Sequence, residues 1–342
     1  MTHPRRLVAL ALALALGPGA SAHATSPPRG PTHPIVDAAA APRLDPAGDL
    51  DLALADARAL VGDEVTGDLT NGKHYHASNE RDLHLVRGHV SDLGGLLVAV
   101  AADPGYVLAA WMDADAIVFV DLDPEIIDLH AIYAAFLAAA DTPADFLALW
   151  GDDAVDRAHE VLAAACPDPT RQAALLALHE AARPAIARRL ADLARRFADQ
   201  DTPWFGGDPA LYRRLADLAR AGRIVALRAD LTRDGAAADL AALLARHQVR
   251  VDALYLSNIE QYFLYTEAFR ATLRALPFAP AARVLRTLPG RPAGFEYIVQ
   301  GGRDFQVALA DPRVRSVYRI RGFVRGDHLV GRTLHEIPAL PR

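Results

Sequence analysis

Short apolar runs separated by helical patterns limit what this 342-residue chain can fold into more than any other feature. Four of them lie at 95–100 (GLLVAV), 116–120 (AIVFV), 223–227 (RIVAL) and 251–256 (VDALYL). Each is too short for a buried helix, and each is followed by a turn and then by apolar residues at helical spacing. Runs apolar at successive positions face a core on both sides, as the strands of a parallel sheet covered by helices do. A fifth candidate strand at 282–287 continues the set, and 295–299 with 305–308 read as a hairpin about Gly301-Gly302. The expected fold is therefore α/β, a Rossmann-like and mostly parallel sheet. Helices are expected at 50–60, from Leu83 onward, from the 102–105 turn through Trp111, and at 124–140, 235–247 and 260–275. Helical patterns at 143–149, 152–165, 169–199 and 208–221 interrupt the sheet order. They form either an inserted cap or a set of helices packed beside the sheet.

The chain opens MTHPRRLVALALALALGPGASAHA. Arg5 and Arg6 precede an unbroken apolar run at 7–16, and Ala22-His23-Ala24 supplies a small-residue cleavage site. That is the pattern of a secretory signal peptide over 1–24, with an apolar run far short of the ~20 residues of a membrane span. Residues 25–47 read as a flexible leader and 48–342 as a single domain with a helical insertion at about 143–221. The expected location is exported, periplasmic or secreted, with no stable membrane span in the mature chain. Acidic residues number 42 against 36 basic ones, a balance that gives no support to a nucleic-acid partner. Cys166 is the one cysteine, which excludes an intrachain disulfide and a cysteine metal cluster.

In an open parallel sheet, ligands bind outside the carboxyl ends of the strands. That rule selects the 101–106 turn, Asp121 to Asp123, Asp230 to Thr232 and Ser257 to Gln261. In a functional reading the first turn, with Asp103 and Gly105, passes under a cofactor. Asp121 accepts from a ribose, Asp230 reads a base edge, and Asn258 and Glu260 face the substrate. In a plainer reading the aspartates end strands and cap the next helices. The first turn offers one permissive glycine, Gly105, and Asp103 repels phosphate, so a dinucleotide pyrophosphate does not suit it. A cationic ligand without phosphate suits it better. Asn79 and Glu80, in the polar cluster before the helix at Leu83, and Tyr262 are candidate substrate contacts. His74, His76, His84, His89 and His130 invite a metal, but their spacing matches no specific zinc pattern, and the expectation is no metal centre. Ser257 lacks the glycines of a nucleophile elbow.

Five stretches carry a family resemblance: SNERDLHLV, LLVAVAADPGYV, IVFVDLDPEIIDLHAIYAAF, ARAGRIVALRADLTRDG and LYLSNIEQYF. Over roughly residues 70–310 the chain resembles a poorly characterised bacterial family related to the class I S-adenosylmethionine-dependent methyltransferases. The resemblance implies a sheet of the class I methyltransferase type and S-adenosylmethionine as cofactor. It implies Asp121 at the ribose, Asp230 near the adenine, and Asn258 and Glu260 as catalytic or substrate-side groups. The implied activity is methyl transfer to a small or envelope-associated acceptor. The alternative is an exported, non-catalytic small-ligand-binding or accessory protein that retains the fold.

Overall fold

Asp-Pro and Thr-Pro pairs punctuate the chain, and in the computed structural model those at 103–104, 123–124, 142–143, 168–169 and 208–209 open helices, while those at 202–203 and 311–312 lie outside helices. The structure describes residues 47–64, 72–290, 294–322 and 334–337. The expected signal peptide, and the leader up to residue 46, lie outside the described residues. The chain divides into Met1–Leu44 and a compact unit, Asp45–Arg342, to which all described residues belong.

The unit begins with α1 (Ala47–Ala59), a 3₁₀ turn (Leu83–Val86) and α2 (Arg87–Val90). β1 (Leu96–Ala99), α3 (Asp103–Met112), β2 (Ala116–Asp121) and α4 (Pro124–Ala139) follow. Next come α5 (Pro143–Ala148), α6 (Val155–Ala165), α7 (Pro169–Asp199) and α8 (Pro209–Arg220). The sheet resumes with β3 (Ile224–Arg228), α9 (Ala236–Arg246), β4 (Val251–Tyr255), α10 (Glu267–Ala275) and β5 (Phe278–Pro289). β6 (Phe295–Gly301), α11 (Gly302–Ala310), α12 (Val317–Arg321) and β7 (Leu334–Ile337) complete it. At α4, α7 and α8 an aspartate (Asp123, Asp168 or Asp208) accepts the first free backbone N–H groups, and at α5 Thr142 does so. The following proline supplies a residue already fixed near helical φ.

The sheet runs in the order β3-β2-β1-β4-β5-β6-β7. β1 to β5 are mutually parallel, β6 runs antiparallel to β5, and β7 lies parallel to β6. The fold is thus α/β and Rossmann-like with a mostly parallel sheet. Alternation along β1 and β2 divides the interior in two. Leu97, Ala99, Ile117 and Phe119 enter one core, while Leu96, Val98, Val118 and Val120 enter the other. Helices α3, α4 and α6 to α8 cover the first face, and α1 and α9 to α12 the second. The helices from 143 to 221 therefore lie beside the sheet, packed on α3 and α4, and are not a cap. No described helix is long and apolar enough to cross a membrane.

Two expected elements differ. Residues 305–308 belong to α11 and not to a strand, because Phe305, Ala308 and Leu309 bury one face at helical spacing. The FQVA tetrad alone mimics strand alternation, and the longer window decides. The helix expected over 260–275 is a 3₁₀ turn (Ile259–Gln261) followed by α10, which starts late because Thr266 caps it at the Phe269 N–H.

His130, on α4, illustrates how tightly the first core is packed. It is buried, its ring stacks on Phe119 with centroids 3.6 Å apart, and its Nδ1 lies 3.0 Å from the Tyr106 hydroxyl. Burial lowers its pKa from 6.5 to about 3. Below pH 6.5 the unfolded chain takes up a proton here that the folded chain refuses, so stability present above 6.5 is lost as pH falls. Between pH 7 and pH 5 this group alone removes about 2 kcal/mol. His130→Phe, which preserves the ring stack, flattens that part of the profile in urea unfolding at the two pH values. An unchanged pH dependence would contradict the assignment.

Candidate functional site

The order 3-2-1-4-5 places β1 and β4 side by side while their following connections leave in opposite directions, which opens a crevice at their carboxyl ends. A cavity of about 480 Å³ lies there, walled by the ends of β1, β2, β3 and β4 and by residues 73–79. Two backbone features shape its floor. Ala101 follows β1 with φ 64° and Ser257 follows β4 with φ 48°, both in the left-handed region. Non-glycine residues reach that region at a cost of roughly 1–2 kcal/mol each. Ala101 thus takes the conformation that a glycine supplies in a typical nucleotide-binding turn. Its N–H donates to Asp121 Oδ2 at 3.1 Å, which ties the first turn to the second strand.

Of the residues singled out from the sequence, Asn79, Asp121, Asp230, Asn258 and Tyr262 line this cavity together. Asp121 also accepts from the Asp123 N–H at 3.0 Å, so each carboxylate oxygen keeps acceptor capacity. Burial pushes the Asp121 carboxyl up to about 6, against the pull of the backbone N–H groups of Asp123, Ala101 and Leu122. It is therefore mainly ionised at pH 7. Asp230 Oδ1 accepts from both the N–H and the hydroxyl of Thr232, at 2.9 and 2.7 Å. That is an aspartate turn of the plainer reading, with Oδ2 not engaged in it. Tyr262 is 52% exposed and stands at the rim.

Four expected site residues are placed elsewhere. Asp103 is fully buried. Its Oδ2 accepts from Arg189 Nε at 2.8 Å and its Oδ1 from the Ser78 N–H at 2.7 Å, so its charge is matched inside the protein and does not face a cofactor. Gly105 lies within α3 against the sheet. A Cβ there would come 2.4 Å from Phe119 Cε1, which makes this a packing glycine. Glu80, 1% exposed, accepts from the hydroxyls of Tyr255, Ser257 and Thr287. Burial pushes its carboxyl up while those hydroxyls and Arg189 pull it down. Glu260 pairs with Arg286 at 2.8 Å and accepts from Tyr265, all within the protein. The guanidinium of Arg286 also sits 4.3 Å from the Phe305 ring centroid and donates to Gln300. Neither glutamate lines the cavity. Each is a strut behind the cavity wall.

Sequence reasoning missed Lys73, Tyr75 and Ser78 as lining residues, whereas Asp123, Thr232 and Ser257 lie in the strand-end segments it selected. Lys73 was recoverable, being the one lysine of the chain. Three aspartates, 121, 123 and 230, share the lining with that single ammonium. The five histidines do not converge. His130 is in the core, and His89 faces Glu336. His74 and His76, however, meet the first turn of α4. His74 Nδ1 lies 2.9 and 3.0 Å from the Asp123 carboxylate oxygens, His74 Nε2 is 3.4 Å from Glu125, and His76 Nε2 is 2.7 Å from Glu125.

The buried pair behind the site is testable. Removing one member of a buried ion pair leaves an uncompensated charge, at a cost of about 3–5 kcal/mol. Arg189→Met is expected to lose stability in that range in urea unfolding. Arg189→Met combined with Asp103→Asn is expected to recover part of the loss, and a fully additive double variant would show that the two groups do not interact.

No curated protein matches the chain. Residues 75–328 match the model of a family described as a domain of unknown function (DUF7790), a span that takes in every cavity-lining residue except Lys73. The chain belongs to that family.

Proposed function

We propose that the cavity binds a phosphate-free, cationic nucleoside of the S-adenosylmethionine type, and that the chain is a methyltransferase-like protein of the class I kind. The observation that carries this reading is the charge of the lining, three carboxylates against one ammonium, at the switch point of the sheet. A phosphate or pyrophosphate would meet net repulsion there, whereas a sulfonium or ammonium group meets attraction in a partly desolvated cleft. The volume lies within the range of pockets that hold ligands of this size.

The donor set fits such a ligand. Asp121 keeps lone pairs for a pair of ribose hydroxyls, and Asp230 Oδ2 suits an amino group on a base edge. Phe263 and Tyr262 offer ring faces, and Asn258 and Asn79 offer amides on the side where an acceptor would enter. When bound, S-adenosylmethionine supplies an electrophilic methyl group. The contribution of the chain is to hold the two partners in line and to exclude water, a gain of orientation more than of acid–base chemistry.

A second reading, a binding or accessory protein that performs no transfer, has its own support. Glu80 and Glu260, the two glutamates expected at the site, are held by internal partners, and no glutamate is among the residues that line the cavity.

Calorimetry of the purified chain with S-adenosylmethionine and S-adenosylhomocysteine separates these readings. Saturable one-site binding is expected, weakened at least tenfold (about 1.4 kcal/mol) in Asp121→Asn and in Asn258→Ala. Absence of heat at millimolar ligand, with folded protein, would sink the nucleoside reading. Binding without methyl consumption across amine, hydroxyl and carboxylate acceptors would select the second.

A further inference from the structure

The segment that forms one wall of the cavity has two faces. Residues 73–77 belong to no helix or strand, yet alternate side chains along them serve opposite sides. Lys73, Tyr75 and Ala77 line the cavity. His74 and His76 point the other way, onto the first turn of α4, where Asp123 and Glu125 wait. The nucleoside reading counts the charge of Asp123 but uses neither His74, His76 nor Glu125.

We infer that His74, His76 and Glu125 form a binding site for a divalent transition-metal ion of the zinc class, which clamps the 73–77 wall of the cavity to α4. One ligand atom from each of the three residues lies within 4.8 Å of the others. A tetrahedral ion with bonds near 2.1 Å needs ligand atoms about 3.4 Å apart. His74 Nε2 stands 3.4 Å from Glu125 Oε1 and His76 Nε2 2.7 Å from Glu125 Oε2, so the carboxylate has to turn and the closer contact to open for one oxygen to join both imidazoles around a single ion. The three ligands leave further coordination positions for water or an added group, as in open zinc sites.

The surroundings go beyond a hydrogen-bonded histidine pair. Asp123 takes the Nδ1–H of His74, which leaves the Nε2 lone pair bare and turned toward Glu125. A carboxylate behind a ligating imidazole is the arrangement that fixes tautomer and ring orientation in metal sites. Asp123 is itself held by the Glu125 N–H at 2.9 Å, and the two imidazole planes lie 4° apart. The N-terminus of α4 contributes about half a positive charge, which opposes a cation. Two carboxylates beside it outweigh that term. Two imidazoles with one carboxylate select zinc, cobalt, nickel, copper or iron over magnesium and calcium, which require oxygen ligands.

The test uses the untagged chain freed of metal by chelation, titrated with zinc chloride and cobalt chloride, with magnesium and calcium as controls. One equivalent of zinc is expected to bind, and cobalt is expected to give the intense visible absorption of a four- or five-coordinate nitrogen–oxygen site. His76→Ala and Glu125→Gln are expected to lose at least 100-fold in affinity. Asp123→Asn, which keeps the helix cap, is expected to lose 10- to 100-fold through the orientation of His74. Zinc is also expected to slow amide exchange at 72–79 in the wild type, a readout that requires no variant to fold. Failure of zinc and cobalt to bind the wild type better than magnesium overturns the inference. So does stoichiometric binding that survives both ligand substitutions, which would place the ion on other histidines. The outcome is independent of any nucleoside binding.

Discussion

One guanidinium ties the outer helices of the first face to α3 and to the wall of the cavity. Arg189 lies on α7, in the outer helical layer, and reaches inward to Asp103 at the start of α3 and to the carbonyl of Glu80 in the cavity-wall segment. Asp103 in turn holds the Ser78 N–H, and the Glu80 carboxylate gathers hydroxyls from β4, β5 and the turn after β4. A charge placed this deep is tolerable only with a partner at good geometry. The helices from 143 to 221 are therefore not ornament on a finished sheet. They deliver the cation that allows an aspartate to sit where the first turn enters its helix. The shape of the cavity depends on that delivery, because Ser78 and Asn79 stand on the segment it anchors.

Much of the sheet was legible because its evidence is local. An unbroken run such as IVFV reads as a strand faced on both sides, and Pro124 after Asp123 marks a helix start by steric and capping rules that act over four residues. The strand expected at 305–308 failed for the same reason in reverse, since four residues cannot separate a period of 2 from one of 3.6. The helical layer was legible as helices, but its position was not, because nothing local tells a cap from a flank.

The site was half legible. The rule that ligands gather at strand carboxyl ends found Asp121, Asp230 and Asn258, since it depends only on topology. Asp103 and Glu260, which the same rule selects, and Glu80, from the polar cluster before Leu83, turn to internal partners, because a carboxylate facing a cavity and one facing a buried arginine are the same letter. Their partners, Arg189 and Arg286, lie 86 and 26 positions away from Asp103 and Glu260 and carry no sequence mark of their own. Ala101 was discounted for not being glycine, yet the fold forces it into the glycine conformation. Strain of that kind leaves no trace in composition. The histidines were weighed as a set of five by spacing, whereas two of them matter through a glutamate about fifty residues distant.

Surface loops ordinarily tolerate changes of length, because little depends on which way each residue points. Residues 73–77 belong to no helix or strand, yet they do not share that freedom. Ser78 is pinned by Asp103, so the phase of this alternating segment is set from its far end. Loss of Ala77 alone would turn His76 and His74 into the cavity and Tyr75 and Lys73 onto α4, exchanging the two faces at a stroke. Either face accepts point changes while the other stays intact. Length is the property they hold in common, and a segment that looks like a connector has the spacing demands of a strand.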